Sequence, residues 1–120
     1  MRETKTTNPQ LIELINMLRK QSREQDAPIW ADVADYLAHS RSQRVAVNLS
    51  TINRNTDKAA VVVVPGKILA SGALDHTVTV ASFEASVQAK AKLEAAKSKY
   101  LTIQELMAKN PKGSNVKIIR

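Results

Sequence analysis

Residues 60–66 read Ala-Val-Val-Val-Val-Pro-Gly, and this stretch decides the fold. Four consecutive valines with no polar residue between them are typical of a strand that is covered on both faces, as in a mainly parallel sheet. Pro65 and Gly66 are turn-forming residues, so the strand is predicted to end there. Residues 65–75 are then expected to form a connection punctuated by Gly66 and Gly72.

Three further strands are predicted where apolar residues alternate with polar or small ones. Such alternation with a period of two indicates a strand. Between the first of these strands and the valine run, Ser50 begins a turn or short helix that reaches Asn55. The alternating residues are Val45, Val47 and Leu49, then Val78 and Val80, and finally Val116 and Ile118.

Helix signals precede and follow the strands. Asn8 as N-cap and Pro9 at the first helical position predict an amphipathic helix that continues to about residue 23. Asp26 and Pro28 are expected to open a second helix, which would pack against the first one. The order therefore begins with a pair of helices.

Two more helices are predicted in the second half of the chain. Ser82 is expected to cap the first, and the capping box Thr102–Glu105 begins the second, which stops before Asn110. The predicted fold class is α/β, a single domain in which an N-terminal helix pair is followed by short, mostly parallel strands interleaved with helices. Residues 1–7 are expected to form an extended basic arm, and 8–120 the domain.

Composition excludes several classes of protein. The 120 residues hold 18 Lys and Arg against 11 Asp and Glu, a net charge of +7, and no cysteine, which rules out disulfides and thiolate chemistry. The longest apolar run, Ala59–Val64, is too short for a transmembrane helix or a signal-peptide core. Excess positive charge favours a polyanionic partner, either nucleic acid or an anionic membrane, although surplus lysines also serve solubility.

Aromatic residues are too scarce for base stacking. Trp30, Tyr36, Phe83 and Tyr100 are the whole set, and most of them, Trp30 above all, occupy positions that suit core packing. A protein that binds single strands needs aromatic platforms for the bases. If the partner is nucleic acid, we therefore expect recognition of the backbone and shape of folded RNA.

Catalytic and metal sites are not predicted. His39 and His76 lack a second ligand at metal-binding spacing. Asp75 and His76 are adjacent, and on an extended chain their side chains would point apart. Gly66-Lys67 lacks the earlier glycine and the following helix of a phosphate-binding loop. The alternative of a small enzyme or a small-molecule-binding α/β domain therefore has no residue pattern in its favour.

Four stretches of the chain occur together in one order. They are Thr6–Pro9 before the first helix, Arg44–Asn48, Val63–Leu69 leading through Gly72, Leu74, Asp75 and His76 to Val78–Ala81, and Asn110–Ser114 leading to Val116–Arg120. Together they resemble the archaeal large-subunit ribosomal protein family L-eighteen-e, and the match covers nearly the whole chain. That family shares its α/β core with the bacterial large-subunit protein L-fifteen.

The resemblance implies a structural constituent of the large ribosomal subunit, located in the ribosome in the cytoplasm. It would bind folded ribosomal RNA mainly through phosphate and sugar contacts, beside neighbouring ribosomal proteins. It implies no enzymatic activity, cofactor, metal, membrane or small-molecule substrate.

The residues expected to contact RNA fall into three groups along the chain. The first comprises Arg41, Arg44, Arg54 and Lys67 as cations, with Asn48, Ser50 and His76 as neutral donors. The second comprises Lys112, Lys117 and Arg120 near the last strand, and the third Arg2 and Lys5 in the arm.

Overall fold

A computed structural model of the chain describes residues 9–38 and 45–120. Within these ranges, a pair of helices is followed by alternating strands and helices, which confirms the predicted α/β class. The predicted arm and the Asn8 cap lie outside the described residues. The helices are α1 (Pro9–Gln25), α2 (Pro28–Leu37), α3 (Leu49–Arg54), α4 (Val87–Ala95) and α5 (Ile103–Lys109). The strands are β1 (Val45–Asn48), β2 (Ala60–Leu69), β3 (Val78–Ala85), β4 (Lys99–Thr102) and β5 (Val116–Ile118).

All pairings in the sheet are parallel, and β2 is its central strand. The order is β1-β2-β3-β4, and β5 also pairs with β2. One edge of β2 is shared between two partners, since β1 pairs with Gly66–Leu69 and β5 with Val61–Val63. The opposite edge pairs with β3.

Both faces of the sheet are buried, which explains the valine run. Successive side chains of a strand point to opposite faces. Val63 packs with residues of α1, α2 and α5, whereas Val62 and Val64 pack with residues of α3 and α4. All three valines are fully buried. A polar residue at any of these positions would lie inside one of the two cores.

The predicted end of the central strand at Pro65 and Gly66 is wrong. Strand β2 continues to Leu69, and its register against β3 shifts between Val64 and Lys67. This irregularity accommodates the proline, which cannot donate to the ladder. Gly66 lies opposite Val45 of β1, and a Cβ atom there would come within 2.0 Å of the Val45 carbonyl oxygen. Gly66 therefore permits close contact between two strands instead of forming a turn.

The predicted cap at Ser82 is also wrong. Ser82 is buried within β3, where its hydroxyl donates to the carbonyl of Glu84 at 2.8 Å and lies 2.9 Å from the Tyr100 hydroxyl. Helix α4 begins only after Ser86, whose hydroxyl accepts from the Ala89 amide at 3.1 Å. Both serines suit a cap, and pairing of β3 with its neighbours selects the second.

The N-terminal helix pair differs from prediction at its connection. Helix α1 extends to Gln25, and the residue before α2 is Ala27, while Asp26 adopts a left-handed φ of 50° and does not cap the helix. Trp30 is fully buried, as predicted, and its indole N–H donates to the carbonyl of Pro111 at 2.7 Å. This bond ties α2 to the connection that precedes β5.

The capping box of α5 is confirmed. The Thr102 hydroxyl accepts from the Glu105 amide at 3.1 Å, and a Glu105 carboxylate oxygen accepts from the Thr102 amide at 3.0 Å. The backbone hydrogen bond from Thr102 lowers the pKa of Glu105. Strand β4 directly before the box was not predicted, because four residues with one buried position give almost no periodic signal.

Candidate nucleic-acid interface

Charge is distributed unequally between the two sides of the sheet. Residues 9–37, which form α1, α2 and their connection, carry more acidic than basic residues, while the opposite side, formed by 49–59, the β2–β3 connection (70–77) and 86–98, carries more basic than acidic ones. We call these the α1–α2 side and the α3–α4 side. The former holds Arg19, Lys20 and Arg23 against Glu13, Glu24, Asp26, Asp32 and Asp35. The latter holds Arg54, Lys58, Lys90, Lys92 and Lys97 against Asp57, Asp75 and Glu94.

The β2–β3 connection lies against α3 and is also held by α4. The Ser50 amide donates to the carbonyl of Ser71 at 3.1 Å. Gly72 has a φ of 91°, and a Cβ atom there would lie 2.5 Å from the Cβ atom of Ser50. From α4, the Lys92 ammonium donates to the carbonyls of Ala70 at 2.8 Å and Gly72 at 2.9 Å. Lys92 is thus engaged within the protein.

His76 attaches the far end of the connection to the residues after α3. Its Nδ1 lies 2.6 Å from a carboxylate oxygen of Asp75, and its Nε2 lies 2.7 Å from the Thr56 hydroxyl. That hydroxyl donates its one hydrogen to the carbonyl of Ile52 at 2.7 Å. The His76 ring therefore links Asp75 at one nitrogen with Thr56 at the other. The expectation that Asp75 and His76 point apart is wrong because the chain bends here.

This arrangement keeps Asp75 ionised. The hydrogen bond from His76 lowers the pKa of Asp75, with a smaller contribution from a side-chain hydrogen bond with Asn53. Separately, the Asn53 side-chain oxygen accepts from the Asp75 amide at 3.0 Å. Because the pKa of this carboxyl is lowered on folding, its contribution to stability is present above its ordinary value of 3.8. The contribution is lost as the pH falls through the lowered pKa.

Arg54 and Lys117 meet at the carboxyl end of α3. Arg54 is exposed in the last turn of that helix. The Lys117 ammonium extends from β5 and donates to the carbonyl of Asn55, the next residue, at 2.9 Å. His76 reaches the same stretch through Thr56. The structure therefore brings three of the predicted contact residues near one another.

Three other predicted residues lie toward the carboxyl ends of β1 and β2. Asn48 pairs with Leu69 across the two strands, and Ser50 follows in the first turn of α3. Lys67 is exposed on β2 and lies opposite Glu84 of β3. These residues are separated from Arg54 by the length of α3.

The three residues predicted as one contact near the last strand lie at different positions. Lys112 occupies the turn that the Trp30 indole holds against α2. The Arg120 guanidinium lies over the ring of Tyr36 on the same helix, 5.0 Å from its centre. Lys117 instead points to the α3–α4 side.

Some of the predicted residues fall outside the described part of the chain. They are Arg2, Lys5, Arg41 and Arg44, together with His39.

The described residues offer cations and hydrogen-bond donors. Over 9–38 and 45–120, no group of three His, Cys, Asp or Glu side chains is placed to hold a metal ion. In the same ranges, no helix is long and apolar enough to cross a membrane. The Thr56 hydroxyl beside His76 donates its hydrogen to the carbonyl of Ile52, so the contact between Thr56 and His76 has a structural role.

Lys58 and Lys97 are not among the contact residues predicted from the sequence. Both line a shallow cavity of about 430 Å³ at the amino ends of the strands, together with His76 and Thr77. Lys97 lies two residues beyond the end of α4 and has a left-handed φ of 59°. The alanine- and lysine-rich pattern of the helix continues through this position, so the sequence does not reveal the turn.

Comparison with known proteins identifies the family. The family model described as ribosomal protein 60S L18 and 50S L18e matches residues 1–120. The large ribosomal subunit protein eL18 of Methanococcus maripaludis is 46% identical over 119 residues, which cover 99% of both chains. The eL18 proteins of Methanothermobacter thermautotrophicus and Methanoregula boonei are 45% and 43% identical, each over 99% of this chain and 98% of their own. The chain therefore belongs to the family of ribosomal proteins 60S L18 and 50S L18e.

Proposed function

We propose that this chain is a structural constituent of the large ribosomal subunit that binds folded ribosomal RNA mainly through phosphate and sugar contacts. Membership in a family of ribosomal proteins supports the structural role, and the family is not one of enzymes. The observation that supports phosphate contacts is the uncompensated positive charge of the α3–α4 side. Ribosomal RNA is the polyanion that a ribosomal protein meets.

Three cations on this side form no ion pair with a carboxylate of residues 9–38 or 45–120. They are Arg54, Lys58 and Lys97, and all three are exposed. Lys67 on β2 is likewise exposed and forms no ion pair in those ranges. Within residues 9–38 and 45–120, two ion pairs between a lysine or arginine and a carboxylate lie on α1 and α2. They are Arg19–Asp35 and Lys20–Glu24, both at 3.8 Å. Positive charge is thus compensated on one side and available on the other.

The aromatic residues support backbone recognition over base stacking. Trp30 is fully buried and Phe83 packs partly against the same core. Tyr36 lies under the Arg120 guanidinium, and the half-buried ring of Tyr100 has a lysine over it. Among the described residues, these rings are therefore committed to contacts within the protein. With no aromatic ring free for base stacking in the described ranges, we expect this surface to contact the phosphate and sugar groups of RNA.

His76 has a different role from the direct donor that the sequence suggested. Both of its ring nitrogens are engaged, one by Asp75 and one by Thr56. A direct contact with RNA would require one of these bonds to break. We infer that His76 acts by holding the β2–β3 connection beside α3.

The proposed contact residues follow from this surface and from the resemblance. The chain is proposed to consist of an arm, 1–7, and an RNA-binding domain, 8–120. Some of the proposed contact residues lie in the described ranges, and others lie outside them. The described ones are Arg54, Lys67, Lys112, Lys117 and Arg120, with Asn48 and Ser50 as neutral donors. The others are Arg2, Lys5, Arg41 and Arg44.

Salt dependence of RNA affinity tests the proposal. If about five phosphates are neutralised, the logarithm of the binding constant should fall with log salt at a slope of roughly −3.5 to −4.5. Arg54→Ala should reduce the magnitude of that slope by about 0.7 to 0.9 because one phosphate contact is lost. Filter binding with transcribed large-subunit ribosomal RNA of Methanococcus maripaludis measures both values.

Lys20→Ala is the matched control for this experiment. Lys20 is exposed on α1 and paired with Glu24, so its removal should leave the slope unchanged. A wild-type affinity that does not respond to salt would refute phosphate binding. Equal effects of Arg54→Ala and Lys20→Ala would show that the α3–α4 side has no special part in it.

A further inference from the structure

The connections before β2, β3 and β4 meet at the amino-terminal edge of the sheet. The Ala59 amide donates to the carbonyl of Thr77 at 2.8 Å, which joins the first connection to the second. The Val78 amide donates to the hydroxyl of Ser98 at 3.1 Å, which joins the second to the third. Thr77 is therefore bracketed by two turns from separate parts of the chain.

Each of these turns carries a lysine next to the bonded residue. Lys58 precedes Ala59, and Lys97 precedes Ser98. Both lysines line the cavity of about 430 Å³ that also contains Thr77. Both are exposed and neither is paired with a carboxylate of the described chain. Two unpaired ammonium groups thus border one concave surface.

The carboxylate in the cavity does not balance both lysines. Asp75 lines the same surface, where its single negative charge faces two ammonium groups, and it lies 2.6 Å from the ring of His76. Glu94 and Asp57, which lie close in sequence to the two lysines, are not among the residues that line the cavity. The cavity therefore has net positive character and room for an anion.

The backbone at both turns adopts an unfavourable conformation that places the lysines. Ala59 has a φ of 66° and Lys97 a φ of 59°, a region that residues other than glycine rarely adopt. At the second turn, the Lys97 amide donates to the backbone carbonyl of Glu94 at 2.9 Å, and the Ser98 amide donates to that of Leu93 at 2.9 Å. Glycine is the usual residue at this point after a helix. A lysine there adds a charge to the cavity that glycine would not supply.

We propose that Lys58 and Lys97 together bind one phosphate group of the RNA above Thr77, at the amino-terminal edge of the sheet. This phosphate seat rests on the proposed function, to which it adds two residues and a location. The shared ligand is a phosphate group, and the shallow, exposed form of the seat favours a phosphate that the rest of the RNA holds in place. His76 anchors the connection that leads to Thr77, through its contacts with Asp75 and Thr56.

Single and double variants distinguish one shared phosphate from two separate contacts. Lys58→Ala and Lys97→Ala should each weaken binding of the Methanococcus maripaludis RNA. Because both lysines serve one phosphate, the double variant should lower the magnitude of the salt slope by about 0.7 to 0.9 in total. A loss of about 1.4 to 1.8 would mean two separate phosphates and would overturn the shared seat. No loss in the double variant would overturn it as well.

The control variant is Lys109→Ala, which removes an exposed lysine in the last turn of α5. Its slope should equal that of the wild-type protein. Circular dichroism and thermal melting establish that each variant is folded before it is compared. If the wild-type protein binds with the expected slope and the double variant keeps it, the seat alone is wrong. If the wild-type protein shows no salt-dependent binding, the proposed function fails too.

Inorganic phosphate distinguishes an RNA phosphate from a free anion. Amide resonances of Lys58, Thr77 and Lys97 are followed by nuclear magnetic resonance during phosphate addition to the full chain. Exposed ion pairs are weak, so no saturation is expected up to about 10 mM. Saturation within that range would show a site for a free anion and would overturn the assignment to RNA.

Discussion

Val63→Asp is expected to leave the chain unfolded at 25 °C. Val63 is fully buried in the central strand, paired with Ala81 on one edge and Ile118 on the other. Its side chain lies among apolar residues of α1, α2 and α5, where a carboxylate has no partner. Burying an unpaired charge costs several kcal/mol, comparable with the whole stability of a small domain, about 5–15 kcal/mol. Far-UV circular dichroism and thermal melting measure the outcome.

Val87→Asp is the matched control for this substitution. Val87 is 84% exposed at the first position of α4. A carboxylate near a helix N-terminus is favourable, so this variant should melt at or slightly above the wild-type temperature. A cooperative transition at the wild-type temperature for Val63→Asp would show that the two-sided core does not stabilise the fold.

Gly66→Ala is expected to cost about 2–4 kcal/mol of unfolding free energy. The added Cβ atom would meet the carbonyl oxygen of Val45 at 2.0 Å and its carbon at 2.8 Å. These are backbone atoms, which cannot rotate away as the end of a side chain can. Strand β1 would have to separate from β2 locally. Chemical denaturation monitored by Trp30 fluorescence measures the change.

Ala59→Gly exchanges the same two residue types in the opposite direction. Ala59 has a φ of 66°, where glycine is unstrained, so this variant should be more stable by about 0.5–1 kcal/mol. A Gly66→Ala variant within about 0.5 kcal/mol of the wild-type protein, the usual range of a neutral surface change, would contradict the tight contact between β1 and β2.

Elements whose signals are local and strong could be predicted from the sequence. The valine run requires burial on both faces, and the capping box requires only side chains and amides within one turn. Pro65-Gly66 is misleading because the same dipeptide suits a turn or an irregular strand, and pairing with β1 decides between them. Ser82 and Ser86 are equivalent as local caps, and the position of β3 beside β4 selects the second.

The site could be predicted only in part. Excess positive charge pointed to Arg54 and Lys67, which the structure places on the surface without ion pairs in the described ranges. Lys58 and Lys97 lie on turns almost 40 residues apart, and the tertiary fold places both at one cavity beside Thr77. No spacing pattern in the sequence indicates that they line the same cavity. The residue-level contacts with RNA stay predictions.

The tandem pairing of β1 and β5 along one edge of β2 governs how the molecule opens. Residues Val61–Val63 and Lys67–Ile68 of the central strand have a paired strand on each side, so local fraying of an edge cannot release their amide hydrogens to solvent. Their exchange with deuterium requires opening of the entire domain. By contrast, β4 pairs only with β3 in the described chain, and its outward amides exchange through smaller fluctuations. Such a gradient keeps the interior of the sheet closed while its β4 edge opens more readily.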